Sequence, residues 1–413
     1  VGDYKKGPFG SAITIDMFIE KSPGSYKVYE QKNAIRGNCE IGEAYIPKSV
    51  YNNLKNFSVY PLDIIVSCAG TIGKCYILPE DCEQGIINQA LMRVRVNKSF
   101  NLEYFLYIFD IVLSYAAIKY SNGSAIKNIP PFNVLNKLRV TLPSNIEQLQ
   151  IVNYLDKKTA LLDKAKALLE EQIQKLKDYR ASLIYETVTK GLDQTVPMKD
   201  SGIDWIGQVP QGWGVKPIKH VVATPVTDGP HETPLLCETG IPFLSAEAVK
   251  NGVLDFNYKR GYISLQDHER FKKKISPKKD DIFIVKSGAT TGNVGIVNTD
   301  EIFDIWSPLA LIRCKKSLAV QKYIYYYLIS NIFKAQVEFN WSFGTQQNIG
   351  MGIIENIKLI LPPLSEQTKI SDLLDKKTYQ IDQLIQIKNK QIDNINKQRQ
   401  TLIYDFVTGK RRV

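Results

Sequence analysis

LPSNIEQLQIVNYLDKKTALLD, residues 142–163, has a second version in the same chain, LPPLSEQTKISDLLDKKTYQID, residues 361–382. The similarity continues without a gap to RASLIYETVT, which ends at Thr189, and to RQTLIYDFVT, which ends at Thr408. The two stretches are offset by about 219 residues and share roughly 19 of 48 positions. This internal repeat indicates a chain built from two copies of one larger element, each ending in the repeated stretch.

Both copies have a seven-residue spacing typical of coiled-coil helices. The first copy places a leucine at every seventh residue: Leu155, Leu162, Leu169, Leu176 and Leu183. The second copy repeats this with one polar interruption: Leu374, Ile381, Lys388, Ile395 and Leu402. A second seam lies four residues later in each: Thr159, Lys166, Ile173, Arg180 and Thr187, then Ile385, Ile392 and Phe406. The pattern predicts two long helices that pack on each other.

The ends of these helices also have sequence signals. Pro143 in the first copy, and Pro362 and Pro363 in the second, stand just before the predicted helices and block helix upstream. Ser144 and Glu147 form a predicted capping box. Gly191 and Gly409 lie just past the ends, where helix C-caps belong. Each helix is therefore expected to run about 45 residues, or about 65 Å.

The segments before the two helices repeat one order of elements. Each contains a strand–glycine loop–strand pattern, then an aromatic-rich helix, then a polar loop. These elements lie at 60–78, 101–120 and 121–129 in the first segment, and at 281–297, 323–337 and 342–349 in the second. We therefore interpret the two globular segments as diverged copies of one fold.

A linker precedes the second globular segment only. Residues 192–213 contain SGIDWIGQVPQGW, and we expect Trp205 and Trp213 to pin this linker onto a domain. The first segment begins at Val1 without a counterpart. We expect either an incomplete start or a first domain that lacks the corresponding strand.

The predicted fold class is α+β, with two pseudo-repeat mixed α/β globular domains separated by a pair of long antiparallel coiled-coil helices. The predicted bounds are 1–142 for the first domain, 143–191 for the first helix, 192–360 for the linker and second domain, and 361–413 for the second helix. A compact segment of about 170 residues has a radius of gyration near 15 Å and cannot bridge about 65 Å. The second helix must then begin near the end of the first, which predicts a dumbbell with the domains at opposite ends. Two domains held apart in this way suit a split, repetitive ligand such as DNA.

The composition is compatible with two globular domains that bind DNA. Hydrophobic residues make up 44% of the 413 residues, enough for two cores, and the net charge of +11 suits a polyanionic partner or a generic Lys-rich surface. No apolar run is long enough to span a membrane. Six cysteines without a CxxC pair, and no secretion signal, predict reduced structural thiols in a cytoplasmic protein.

A search for catalytic motifs finds none that is intact. The match nearest to an amino-methyltransferase motif, residues 128–132, is spoiled by Ile129, and no glycine-rich cofactor loop precedes it. A nuclease motif fails around Asp281 and Lys286, and no phosphate-binding P-loop is present. Three histidines offer no metal-ligand spacing. We therefore predict no catalytic and no metal-binding residues.

Candidate DNA-binding residues fall in the glycine loops and the polar loops. Glycine loops offer backbone N–H groups, hydroxyls and a cation to phosphate oxygens. Amide side chains can pair with the edge of adenine. The candidates are Ser67, Thr71, Lys74, Ser124, Lys127 and Asn128 in the first half, and Lys286, Ser287, Thr290, Thr291, Asn293, Gln346, Gln347 and Asn348 in the second. Tight turns between strands and a polar loop that caps a helix remain the alternative interpretations.

Taken together, these motifs resemble the specificity subunit of Type I restriction-modification systems. The resemblance covers nearly the whole chain and includes SGIDWIGQVPQGW, DGPHETP, GIPFLSAEAV, SGATTG and LPPLSEQ. It implies two target recognition domains, each of which reads one half of a bipartite, asymmetric site in double-stranded DNA. The helices then act as a spacer and as a docking surface for two methyltransferase subunits.

The resemblance also implies which chemistry lies elsewhere. The specificity subunit performs no reaction and binds no cofactor of its own. S-adenosylmethionine belongs to the methyltransferase subunits, and ATP with Mg belongs to restriction subunits that join the full complex. A stand-alone sequence-specific DNA-binding protein, and the recognition part of a fused restriction-methylation enzyme, remain the alternatives.

Overall fold

The computed structural model describes residues 2–98, 100–120, 142–339 and 348–413, with only the backbone described for 112–120 and 339. The chain divides into two compact units. Unit 1 comprises residues 1–168 and 390–413, and unit 2 comprises residues 169–389. Each unit therefore takes one globular half together with a part of both long helices.

Within its described residues, unit 1 has eight strands and three complete α-helices. The strands are β1 (Gly2–Lys6), β2 (Tyr26–Tyr29), β3 (Tyr45–Ile46), β4 (Ser58–Val59), β5 (Ile64–Ser67), β6 (Cys75–Ile77), β7 (Gly85–Ile87) and β8 (Leu91–Val96). The helices are α1 (Gln31–Arg36), α2 (Lys48–Asn53) and α3 (Leu102–Tyr120), followed by the first part of the long helix α4 (Asn145–Lys190). One sheet has the order β1–β8–β5–β6, and the other has the order β3–β2–β7–β4. The first sheet is antiparallel throughout.

Unit 2 has more strands but keeps the same central arrangement. Its strands are β9 (Met198–Asp200), β10 (Gln208–Pro210), β11 (Gly214–Pro217), β12 (Thr227–Asp228), β13 (Ile241–Leu244), β14 (Val249–Lys250), β15 (Val253–Leu254), β16 (Gly261–Ile263), β17 (Ile282–Val285), β18 (Val294–Ile296), β19 (Asp304–Ile305), β20 (Leu309–Ile312) and β21 (Lys358–Leu361). Its helices are α5 (Leu265–Phe271), α6 (Gln321–Ile329), α7 (Asn331–Phe339), α8 (Met351–Asn356) and the first part of the long helix α9 (Leu364–Val407). The sheet orders are β12–β20–β17–β18–β15–β14, β16–β13–β19, β11–β21 and β10–β9.

A buried ion pair beside the central strand occurs in both units. Asp63, just before β5, accepts a hydrogen bond from Arg95 Nε at 2.8 Å. Asp281, just before β17, accepts one from Arg313 Nε at 2.7 Å. Both carboxylates are almost completely buried, so each needs its guanidinium partner to offset desolvation. These matching pairs confirm that the two globular halves are diverged copies of one fold.

A glutamine near the start of each long helix anchors the globular half beside it. In unit 1, Gln148 Oε1 accepts a hydrogen bond from the backbone N–H of Asn101 at 2.7 Å. In unit 2, Gln367 Oε1 accepts one from the backbone N–H of Val320 at 2.8 Å. Each amide also donates to the carbonyl of the proline five residues before it. Both glutamine side chains are buried, so their amide groups depend on these bonds for hydrogen-bond partners.

A buried tyrosine makes the corresponding bond to the end of the other helix. Tyr104 in α3 donates to the carbonyl oxygen of Val407, near the end of α9, at 3.2 Å. Tyr323 in α6 donates to the carbonyl oxygen of Val188, near the end of α4, at 3.2 Å. Each unit is thus bonded to the start of one long helix and the end of the other.

Within each unit the two long helices are antiparallel, as predicted. Residue numbers on α4 rise as those of their partners on α9 fall: Tyr154 with Phe406 and Asp163 with Arg399 in unit 1, Gln172 with Lys388 and Arg180 with Asp382 in unit 2. Every predicted position of the seven-residue pattern is buried or half-buried. The polar break at Lys388 is explained by its contact with Gln172.

The predicted helix ends are confirmed as well. The Ser144 backbone N–H donates to Glu147 Oε2 at 3.0 Å, and the Glu147 N–H donates to Ser144 Oγ at 3.3 Å, which completes the capping box. Gly191 and Gly409 adopt φ values of +80° and +75°, a conformation that favours glycine. The buried seven-residue pattern and the capping interactions therefore indicate the same bounds for both helices.

Two local expectations differ from the structure. The aromatic helix expected at 323–337 is two helices, because Ser330 takes an extended ψ of 161° and caps α6. Of the two linker tryptophans, Trp213 is buried and donates to Glu366 Oε2 at 3.0 Å, whereas Trp205 is 50% exposed. Of the two tryptophans, therefore, Trp213 is the one that fastens the linker, together with the buried Val209. All six cysteines are free thiols, as expected.

We expect Gln367→Ala to destabilise the protein by about 1–3 kcal/mol, because it removes a buried amide and leaves the N–H of the half-buried Val320 without its side-chain acceptor. Gln380→Ala is the matched control, since Gln380 is exposed on the same helix. The measurement is the urea midpoint of each purified variant. Equal midpoints for the two variants would show that the glutamine anchor contributes no stability.

Candidate nucleic-acid interface

The glycine loop of unit 1, residues 67–74, connects β5 to β6 and is closed by its own hydrogen bonds. The hydroxyl of Ser67 donates to the carbonyl of Thr71 at 2.6 Å and accepts from the N–H of Lys74 at 2.9 Å. Ser67 is fully buried, whereas Thr71 and Lys74 are exposed. Of the three candidates predicted here, Ser67 therefore shapes the loop, and the other two side chains face solvent.

The glycine loop of unit 2, residues 285–293, connects β17 to β18 in the same way. Val285 N–H donates to the carbonyl of Asn293, and Gly292 N–H donates back to Val285, both at 2.8 Å. Thr291 Oγ1 donates to the carbonyl of Gly288 at 2.6 Å. Asn293 is exposed, and Thr290 is half-buried at the turn. The loop again presents a few polar groups on a rigid backbone.

Lys286 differs from the other candidates because a carboxylate holds it. Its Nζ lies 2.6 Å from Asp228 Oδ2, and the lysine side chain is only 14% exposed. Asp228 also contacts Lys274 at 2.7 Å and His231 at 3.1 Å. Burial of the Asp228 carboxyl opposes ionisation, but hydrogen bonds from Lys274 and Lys286 outweigh it and hold its pKa below the usual value. Lys286 thus joins the glycine loop to the end of β12.

The predicted amide loop and the glycine loop of unit 2 meet in space. Asn348 forms an isolated β-bridge with Ser287, and the N–H of Ile349 donates to the carbonyl of Lys286 at 2.7 Å. Asn348 is exposed. The other polar-loop candidates lie outside the described residues: Ser124, Lys127, Asn128, Gln346 and Gln347. Their position relative to the glycine loops remains a prediction.

Sequence reasoning missed a further loop that both units share. Gly7 and Pro8 follow β1, and Gly229 and Pro230 follow β12. Each glycine packs directly on backbone: a Cβ on Gly7 would lie 1.8 Å from the carbonyl oxygen of Asn88, and one on Gly229 would lie 2.2 Å from that of Ile305. No other residue type fits at either position. We call residues 7–13 and 229–237 the Gly-Pro loops; the repeated dipeptide was the signal that could have revealed them.

In each unit the strand directions place both kinds of loop at the same end of the sheet, where the strands terminate. We call this end the loop-bearing sheet edge. β1 and β5 are both antiparallel to β8, so they run in the same direction and end together. β12 and β17 are likewise both antiparallel to β20. The Gly-Pro loop and the glycine loop that follow these strands therefore emerge side by side. Each unit has one edge where backbone N–H groups, hydroxyls and lysines converge, a set suited to an anionic backbone.

Two other kinds of site were sought. Within the described residues, His, Cys, Asp and Glu side chains nowhere gather in threes in a way that could hold a metal ion. None of the helices in that part of the chain combines the length and apolarity that crossing a bilayer requires.

Two repeated α+β units, each with a loop-bearing sheet edge and each anchored to both long helices, define a two-unit recognition protein. The family model of the Type I restriction modification DNA specificity domain matches residues 14–177 and 210–408. The chain belongs to this family, and the resemblance inferred from its motifs is confirmed.

Known relatives agree with this assignment over most of their length. The Type I restriction enzyme MjaVIII specificity subunit of Methanocaldococcus jannaschii is 24% identical over 340 residues, covering 80% of this chain and 75% of the relative. The EcoBI specificity subunit of Escherichia coli is 23% identical over 363 residues, covering 86% and 75%. A solved chain from a study of the assembly and conformational transition of the type I R-M system has a TM-score of 0.70 at 18% identity, covering 94% and 92%. That structural likeness supports the fold.

We expect Lys286→Ala to lower stability by about 1–3 kcal/mol, because it removes one of the two lysines that compensate the buried Asp228 carboxylate. Lys74→Ala, at an exposed position of the other glycine loop, should leave the denaturation midpoint unchanged. Urea unfolding of both variants is the measurement. A Lys286→Ala variant as stable as the parent would show that the ion pair does not hold the loop.

Proposed function

We propose that this protein is the DNA sequence-specificity subunit of a Type I restriction-modification complex, in which each unit reads one half of a bipartite, asymmetric site. The observation that carries the proposal is a contrast within the chain. The bonds that fix each unit to the helices are the same in both, whereas most residues at the two loop-bearing edges differ, such as Lys74 after Gly73 in unit 1 and Asn293 after Gly292 in unit 2. The same helix anchoring therefore supports two loop-bearing sheet edges with different side chains, each suited to a different DNA sequence.

The sheet edges supply contacts of the kind that position DNA. Thr71 and Lys74 in unit 1, and Asn293 in unit 2, project from glycine loops whose backbone is fixed by internal hydrogen bonds. Such groups bind phosphate oxygens and set the register of the protein on the duplex. Asn348, beside the second loop, has an amide that can pair with an adenine edge. Ser67 and Lys286 hold the loops in shape in this proposal.

The long helices supply surface for partner subunits. Large apolar side chains remain 46–73% exposed on them: Ile146, Leu149, Leu161 and Leu168 in unit 1, and Tyr179, Tyr379, Leu384 and Ile387 in unit 2. Exposed apolar rows of this kind favour docking of other helices. We propose that two methyltransferase subunits dock there, one for each repeat, and that restriction subunits join them. A stand-alone DNA-binding protein would have no use for these rows.

In this proposal all chemistry belongs to the partners. The methyltransferase subunits bind S-adenosylmethionine, and the restriction subunits use ATP with Mg. We expect the purified chain alone to transfer no methyl group from labelled S-adenosylmethionine to mixed-sequence DNA. The same chain with its methyltransferase subunits should methylate one bipartite, asymmetric sequence. Methyl transfer by the chain alone, or a single continuous site, would contradict the proposal.

We further propose that the helices set the distance between the two half-sites. Inserting four residues after Lys175 lengthens α4 by about 6 Å and rotates its apolar stripe by about 40°, so the helix stays amphipathic. Because base pairs rise about 3.4 Å, the half-sites should move apart by one to two base pairs at most, with their own sequences unchanged.

Methylation mapping of the assembled complex measures this spacing. Lys175→Ala is the matched control, because it changes the same exposed position without changing helix length. An active insertion variant with the parental spacer and altered half-sites would show that the helices do not set the distance between the half-sites.

A further inference from the structure

The Gly-Pro loop of unit 1 presents one large apolar side chain to solvent on a fixed backbone. Phe9 is 89% exposed. On one side of it Pro8 is buried, and the N–H of Gly7 donates to the carbonyl of Leu91 at 2.9 Å. On the other side Ile13 is buried in a core cluster. Because the backbone is fixed on both sides, the loop holds this exposed side chain in a defined position.

The Gly-Pro loop of unit 2 repeats this arrangement with a different residue. Leu235 is 82% exposed. The loop is fixed at its start, where the N–H of Ser307 donates to the carbonyl of Pro230 at 3.1 Å. It is fixed at its end, where the N–H of Cys237 donates to the carbonyl of Tyr262 at 2.7 Å. The two Gly-Pro loops occupy corresponding places in the two units. Both expose a large apolar side chain, but the residue is Phe9 in unit 1 and Leu235 in unit 2.

Charged side chains, several of them in ion pairs, surround these tips: in unit 2, Lys274 pairs with Asp228 and Arg260 pairs with Glu247. In unit 2, Lys274 donates to the carbonyl of Gly229 at 2.8 Å, and the Arg260 guanidinium lies 4.3 Å from the centre of the Trp306 ring, beside Ser307. In unit 1, the exposed Lys6 directly precedes the loop. In unit 2 the tip also includes Leu236, which is 46% exposed. Tips of one or two apolar side chains beside lysine and arginine groups suit a DNA groove better than a protein surface, which would require a larger apolar patch.

In DNA, the apolar group that a side chain in the major groove meets is the 5-methyl group of thymine. We propose that Phe9 and Leu235 are specificity-determining residues, each of which makes apolar contact with a thymine methyl group in one half of the DNA site. This inference rests on the proposed function, because it assigns a reading role to one residue in each unit. The difference between a phenyl and an isobutyl side chain would give the two halves different preferred positions.

The test removes the methyl group from the DNA and the side chain from the protein. The chain, assembled with its methyltransferase subunits, is titrated with its mapped site and with versions in which each thymine in turn is replaced by deoxyuridine. We expect the parent to lose about four-fold in affinity at one thymine in each half, as removal of one buried methyl predicts. Phe9→Ala should abolish this sensitivity in one half only, and Leu235→Ala in the other half only.

Each variant is the internal control for the opposite half-site. Ile302→Ala is a further control, since Ile302 is 63% exposed in unit 2 but lies outside the Gly-Pro loop, and it should keep both sensitivities. The proposal is overturned if no thymine is sensitive, or if both loop variants keep the parental pattern. A parent complex without any sequence preference would instead refute the proposed function itself.

Discussion

Each globular half of this protein depends on a buried glutamine near the start of a long helix. Gln148 and Gln367 accept the N–H of the residue that leads into an aromatic helix, and Tyr104 and Tyr323 then bond the end of the other helix. Buried polar groups of this kind are costly when unpaired. The pairing therefore tolerates little variation, and it fixes each sheet relative to the helix segments of its own unit.

This bonding requires the helix positions of the two repeats to be similar in sequence, whereas the loops of the two units can differ in sequence. Identical residues cluster in the helices, where LDKKT and LIY recur in both copies. The loops at the sheet edges keep only what their backbone requires, such as Gly7 and Gly229 packed on neighbouring carbonyls. Most of their other side chains differ, as the proposed reading of different bases requires, although Thr71 and Thr290 occupy the same position two residues before Gly73 and Gly292. Recognition by loops on a rigid scaffold allows such divergence at small cost to stability.

The elements predictable from sequence are those whose signals are local. The seven-residue pattern, capping box and terminal glycines predicted both long helices, and glycine between apolar runs predicted the β5–β6 and β17–β18 hairpins. The pairing of Lys286 with Asp228 was not predictable, because Lys286 follows β17 and Asp228 ends β12, and the two meet only after the sheet forms. The Gly-Pro loops were missed because two residues are too short a repeat to notice without the strand order. The break at Ser330 was missed because a helical pattern continues on both sides of it.

In the proposed function, each unit reads its half of the site independently of the other. Replacing residues 192–360 with the corresponding segment of another family member, and mapping the sequence methylated by the assembled complex, measures this independence. One half-site should change to that of the donor, while the other half and the spacer remain parental. An active chimera in which both halves change, or neither does, would contradict it.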